Sequence, residues 1–226
     1  MFFYDWTMIF VLPAVLLSLY AQWKLSSTFS HYSGLGTRSG LSGAEAAAAL
    51  ARRRQLGVSI QPVEGSLSDH YDPSSNVLRL SEPVYASRSI AAVGVAAHEL
   101  GHALQKAEGY WPLNLRIGLV PLANFSSHAW GILFLLGWVA HIPGLFWAAA
   151  ACFLGSLVFS LITLPVEFDA SRRALLALRE DGIITSAEEP GVRSVLSAAA
   201  LTYVAAALMA LLQLLRLVFI ARQSED

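Results

Sequence analysis

From Ile117 to Val166 the chain runs for fifty residues without one Asp, Glu, Lys or Arg. A helix that crosses the hydrocarbon core of a bilayer needs about 20 mostly apolar residues, so this run suffices for two crossings. His141-Ile142-Pro143-Gly144 supplies the turn between them. A second charge-free run extends from Ser194 to Leu215, and a third, Trp6 to Trp23, is broken only by Ser, Thr and Gln. Charged residues make up 14% of the chain, against about 25% in a soluble domain. These runs predict a mainly α, polytopic membrane protein with about four transmembrane helices and a small α+β cytoplasmic part. The first run lacks the basic start and small-residue cleavage site of a signal peptide, so it reads as a retained anchor.

The expected organisation is an anchor (1–23), a polar segment (24–116), a transmembrane helical hairpin (117–166), a second polar segment (167–197) and a last transmembrane helix with its tail (198–226). Four crossings put both polar segments on one side. Of the 15 Lys and Arg residues, all but Arg216 and Arg222 lie in those two segments, which makes that side cytoplasmic. A net charge of −1 argues against a nucleic-acid partner. The lipid bilayer is the partner these runs require, and a homo-oligomer or membrane-protein partner stays open. The lone Cys152 excludes an intramolecular disulfide.

Local patterns sketch the first polar segment. Gly34–Gly43 lacks the Gly-Lys-Ser/Thr ending of a phosphate loop and reads as linker. Ser42 and Glu45 have capping-box spacing and open an Ala-rich helix that Gly57 ends. Val58–Val63 and Val77–Leu80 read as short strands, with a turn at Asp72–Asn76. Ser87 or Ser89 caps a helix reaching about Glu108, and Gly109 stops it.

That last helix carries VAAHELGHALQ, Val95 to Gln105. Residues four apart share a helix face, so His98 and His102 can aim imidazole nitrogens at one metal ion, and Zn²⁺ suits them. Glu99 lies at the edge of that face and reaches a water activated by the metal, as the general base of an HExxH motif. A chain of this composition carries that pattern by chance roughly 0.007 times; the competing explanation is a purely structural histidine pair. Ala91, Gly94 and Val95 lie on the histidine side and leave room for a second element.

A catalytic zinc takes three protein ligands and leaves a fourth position open. Among the other histidines, His31 sits in the linker region and His141 at the opposite membrane face, leaving His70 and His128. The alternative is a carboxylate from TLPVEFDASR, Thr163 to Arg172, where Glu167 is the first charge after fifty uncharged residues. Asp169 competes, but two helical residues turn it about 200° from Glu167. His70 and Tyr71, beside the expected hairpin, are candidates for stabilising an oxyanion, and the strand edge there for holding an extended peptide. Arg172 is a candidate substrate contact.

Four segments, DHYDP (Asp69–Pro73), AAHELGH (Ala96–His102), LPVEFDAS (Leu164–Ser171) and AAALTYVAA (Ala198–Ala206), together resemble the YugP-like neutral zinc metallopeptidases of bacterial membranes. The resemblance covers nearly the whole chain. It implies zinc held by His98, His102 and Glu167, catalysis by Glu99, a peptide or membrane-protein substrate, and a multi-pass protein of the bacterial cell membrane with its active site facing the cytoplasm. The segments are also similar to the HtpX-like and CAAX prenyl proteases, where an Asp follows the ligand Glu by four residues. Here Ser171 stands at that position, and Asp169 is the nearby acid that is a candidate for orienting a histidine instead. The rival readings are a zinc-binding membrane scaffold, a metal transporter, or an inactive protease that binds clients. Transport is disfavoured because no carboxylate lies within the apolar runs.

Overall fold

The structure is a computed structural model, and it describes residues 6–225. A 3₁₀ turn, Trp6–Phe10, leads into α1 (Leu12–Ser33). There follow α2 (Gly43–Arg53), β1 (Ser59–Val63), β2 (His70–Asp72), β3 (Val77–Ser81), the single turn α3 (Glu82–Tyr85) and α4 (Ile90–Ala107). Three long helices complete the chain: α5 (Trp111–Ala140), α6 (Pro143–Glu180) and α7 (Glu189–Gln223). The fold is mainly helical with one small sheet. The chain divides into two compact units, one of Met1–Ala21, Leu115–Leu164 and Thr202–Asp226, the other of Gln22–Asn114 and Pro165–Leu201.

Among the described residues, three helices are long and apolar enough to cross a membrane: α5, α6 and α7, with mean hydropathies of 1.4, 2.2 and 2.3. The expected first crossing is not among them. Its apolar stretch is divided between the 3₁₀ turn and the start of α1, and the rest of α1 carries Gln22, Lys24 and a run of hydroxyl residues. Between α5 and α6 the chain reverses at His141, which takes φ 51°, before Pro143 opens the next helix. Proline suits that first helical position because its missing N–H would have no partner there. Arg216, one of the two basic residues outside the polar segments, is buried. Its Nε donates to Thr7 Oγ1 at 2.9 Å and its guanidinium lies over the Phe134 ring.

The second unit is built around α4. The Ser42–Glu45 capping box opens α2 as its spacing predicts, with reciprocal bonds of 3.2 and 2.8 Å. Gly57 does not end that helix. Gln55 takes the left-handed conformation at φ 54°, and Leu56 N–H returns to the Ala51 carbonyl. The sheet order is β1-β3-β2, with β1 parallel and β2 antiparallel to β3. The two expected strands therefore do not form a hairpin with each other. The turn at Asp72–Asn76 is present, but its incoming arm is His70–Asp72, which sends β1 to the far edge of β3. Asp72 stabilises the turn by accepting from Ser74 N and Oγ and from Ser75 Oγ, bonds that hold its carboxyl below the usual range.

Ser89 caps α4, its Oγ accepting from Ala92 N, and Gly109 at φ +67° follows its end. Val93 and Leu100 of α4 pack in one core with Leu50, Leu78, Leu178 and Val192, all with almost no exposure. Small residues make this enclosure feasible. A Cβ on Gly101 would lie 3.0 Å from the carbonyl carbon and 3.2 Å from the Cα of Ala170, so α6 touches the backbone of α4 there. Gly94, expected to leave room for a second element, faces Val192 of α7.

Candidate metal centre

His98 and His102 stand one turn apart on α4, their ring centroids 4.9 Å apart and their planes at 82°. Glu167 on α6 reaches both, with Oε2 3.2 Å from His98 Nε2 and 3.7 Å from His102 Nε2. Ligands bound tetrahedrally at about 2.0–2.1 Å would stand roughly 3.3 Å from each other. The Glu167 oxygen already stands near that spacing from each imidazole, and the three donor atoms all lie within 4.8 Å of one another. The Glu167 side chain is only 2% exposed. Burial opposes a charge on His102, but hydrogen bonding to Glu167 and the nearby carboxylate charges outweigh it and hold the imidazole pKa above its ordinary value. Two imidazoles and a carboxylate, buried together, are a donor set that fits zinc.

The other nitrogen of each imidazole has its own partner. His98 Nδ1 lies 3.1 Å from Ser171 Oγ. His102 Nδ1 lies 3.0 Å from Gln105 Oε1. Gln105, fully buried, donates through Nε2 to the Val166 carbonyl at 2.8 Å and to Asp169 Oδ2 at 3.0 Å. Asp169 thus meets no histidine directly; it holds the glutamine that does. It also accepts from Arg172 and Arg173, and Arg173 reaches on to Glu108. Sequence reasoning missed Gln105, although it is a polar residue three positions after a ligand histidine.

Glu99 points to another side of α4, where its Oε2 accepts the backbone N–H of Tyr71 at 3.0 Å. Tyr71 lies opposite Leu78 in the β2–β3 pair, and its N–H is directed at α4. Its hydroxyl is engaged elsewhere, donating to Asn76 Oδ1 at 2.5 Å. His70 is exposed, with Nδ1 2.8 Å from the Ser68 carbonyl. Arg172 is exposed and paired with Asp169. The structure therefore gathers His98, His102 and Glu167, sets Glu99 beside them, and leaves His70 and Arg172 outside the group.

The chain matches, over residues 7–222, the model of a family described as "putative neutral zinc metallopeptidase". It is 48% identical over 216 residues, covering 95% of this chain and 96% of the relative, to the "Putative membrane protease YugP" of Bacillus subtilis (strain 168). No solved structure matches the chain. The three apolar helices and this relative support membrane association, and the donor set together with the family points to Zn²⁺. A match spanning nearly the whole chain, and a site whose donors fit that metal, agree: the chain belongs to the neutral zinc metallopeptidase family.

Proposed function

We propose that the protein is a membrane-embedded zinc endopeptidase that cuts peptide bonds of peptides or membrane proteins on the cytoplasmic side. The observation that carries this reading is the placement of Glu99. It stands on the helix that supplies two of the three donors, one residue from His98, and is not itself one of the three. His98, His102 and Glu167 are the residues that hold the metal. When bound, zinc supplies a Lewis acid that polarises a peptide carbonyl and makes water acidic enough to give up a proton near neutral pH. Glu99 accepts that proton and passes it to the departing amine nitrogen. The Tyr71 N–H fixes one oxygen of Glu99 and so orients the base. Ser171, Gln105 and, through Gln105, Asp169 keep the imidazoles turned inward. The outward edge of β2 supplies main-chain groups along which an extended peptide can lie.

The topology in this proposal has four crossings, with Trp6–Trp23 as the first, and the boundaries of the five segments follow the charge pattern. Its support is the charge count, since thirteen of the 15 basic residues fall in the two polar segments. The test is Glu99→Gln in the purified, detergent-solubilised chain, with zinc content measured by metal analysis and hydrolysis measured on casein. Full zinc with hydrolysis lost by several orders of magnitude is the expected result. Equal hydrolysis by clean wild-type and variant protein would refute the role of Glu99. Full zinc with no hydrolysis by either would favour a zinc-binding scaffold.

A further inference from the structure

We propose that Gln105 is a positioning residue that fixes which nitrogen of His102 faces the metal, and that Asp169 sets its orientation. This inference rests on the zinc reading above. A glutamine side chain has one end that only donates and one that only accepts. The Gln105 amide has three neighbours: the Val166 carbonyl, the Asp169 carboxylate and His102 Nδ1. The first can only accept. The second is an ionised acceptor, since Arg172 and Arg173 both donate to it. Both lie at one end of the amide, so the NH₂ group must point to them, and the carbonyl oxygen is left facing His102. An oxygen that only accepts requires a proton on Nδ1. The lone pair of His102 that remains for a metal is then on Nε2, the atom 3.7 Å from Glu167.

The polarity therefore runs in one direction, from the arginines through Asp169 and Gln105 to the imidazole. Rotating the amide by half a turn would set its oxygen against two acceptors and lose both of those bonds, leaving only an NH₂ that could donate to an unprotonated Nδ1. Gln105 is fully buried, so water cannot replace those bonds, and an unmet buried polar group is costly. His98 has no such constraint. Its partner Ser171 is a hydroxyl, which can donate or accept. The two ligands on α4 are thus supported unequally, and only His102 has its tautomer imposed by the fold.

The test uses two variants of the full chain in detergent. Gln105→Met keeps the length of the side chain and removes both polar ends. Its zinc affinity, measured by competition with a chromogenic chelator, should fall about 10–100-fold. The double variant Gln105→Glu with Asp169→Asn, its buried carboxyl protonated toward the Val166 carbonyl, returns an acceptor to His102 Nδ1 and a donor beside it, and should recover zinc binding to within about threefold of wild type. Thermal unfolding is followed for each. Nitrogen-15 histidine spectra of the zinc-loaded wild type should show the His102 proton on Nδ1. Wild-type affinity in folded Gln105→Met, a folded double variant that stays weak, or a proton on Nε2 would each overturn the proposal. If Gln105→Met does not fold, the double variant and the spectra decide. A wild-type protein that takes up no zinc refutes the metal reading itself, and the inference falls with it.

Discussion

Replacing Gly101 with alanine separates the stability of the fold from the integrity of its metal site. The added Cβ would stand 3.0 Å from the carbonyl carbon of Ala170 and 3.2 Å from its Cα, whereas carbon atoms in contact prefer about 3.5–4.0 Å. These neighbours are backbone atoms of α6 and cannot rotate away. One helix must retreat from the other by roughly 0.5–1 Å. Overpacking of this kind costs about 1–3 kcal/mol, and alanine returns about 0.8–1.0 kcal/mol of helix propensity relative to glycine. The net loss, roughly 0–2 kcal/mol, is one that a folded protein can absorb.

The metal site cannot absorb the same movement. Glu167 lies three residues before Ala170 on α6 and moves with it, while His98 and His102 stay with α4. Zinc–ligand distances tolerate about ±0.2 Å, well under the expected shift. Gly101→Ala should therefore remain helical and unfold cooperatively, yet bind zinc at least about tenfold more weakly. Gly94→Ala is the internal control. Its Cβ would meet a side-chain atom, Val192 Cγ1, at 3.3 Å, which gives way by a few tenths of an ångström on α7, away from the donors. Circular dichroism and chelator competition on both variants provide the comparison. Wild-type zinc affinity in folded Gly101→Ala would show that the approach of α6 at this glycine does not set the position of Glu167.

Further outcomes follow from the same geometry. Glu167→Ala should lose zinc outright, whereas Asp169→Asn, whose amide can still offer an oxygen to Gln105, should keep zinc with reduced activity; metal analysis of the purified variants decides between the two carboxylates. Because His102 holds its proton above the ordinary histidine range of about 6.5, and zinc must displace that proton, apparent zinc affinity should begin to fall, as pH is lowered, before the ordinary histidine range is reached. Affinity constant down to that range would contradict the coupling. Cysteines at Ser66 and Ser186, in a Cys152→Ser background, should resist membrane-impermeant reagents applied to intact cells, and labelling of either from outside would reverse the proposed orientation.

What the sequence revealed and what it concealed divide along a physical line. The capping box at Ser42, the Ser89 cap, the stop at Gly109 and the turn at His141 are local, each fixed by residues within a few positions of one another. The same is true of the face shared by His98 and His102, which follows from helical repeat alone. β2 was not legible as a strand. Three residues are too few to establish a period, and this segment exists as a strand only because β3 lies beside it. Without β2, the Asp72–Asn76 turn was joined to the wrong partner, and the parallel pairing of β1 could not be anticipated. Nor could a pattern announce that Gln55 rather than Gly57 takes the left-handed position after α2.

The two glycines of α4 show why the site was only half readable. Seven residues apart, Gly94 and Gly101 lie on nearly the same flank of the helix, so rotation alone cannot say which one receives α6. The choice depends on the height at which α6 comes alongside, and nothing within α4 encodes it. Ala170 meets Gly101, close to the level of the histidines, and Val192 meets Gly94 two turns earlier. Glu99 poses the complementary case. It is turned about 100° from His98 and reaches β2, not α6. One helix thus serves two partners, α6 completing the donor set on one flank and β2 holding the candidate base on another. The motif specifies the helix in five residues, and its partners come from about thirty residues before it and seventy after. That separation explains why the donors on α4 could be named from spacing, while Gly101, Gln105 and the Tyr71 N–H became visible only when the chain had closed around them.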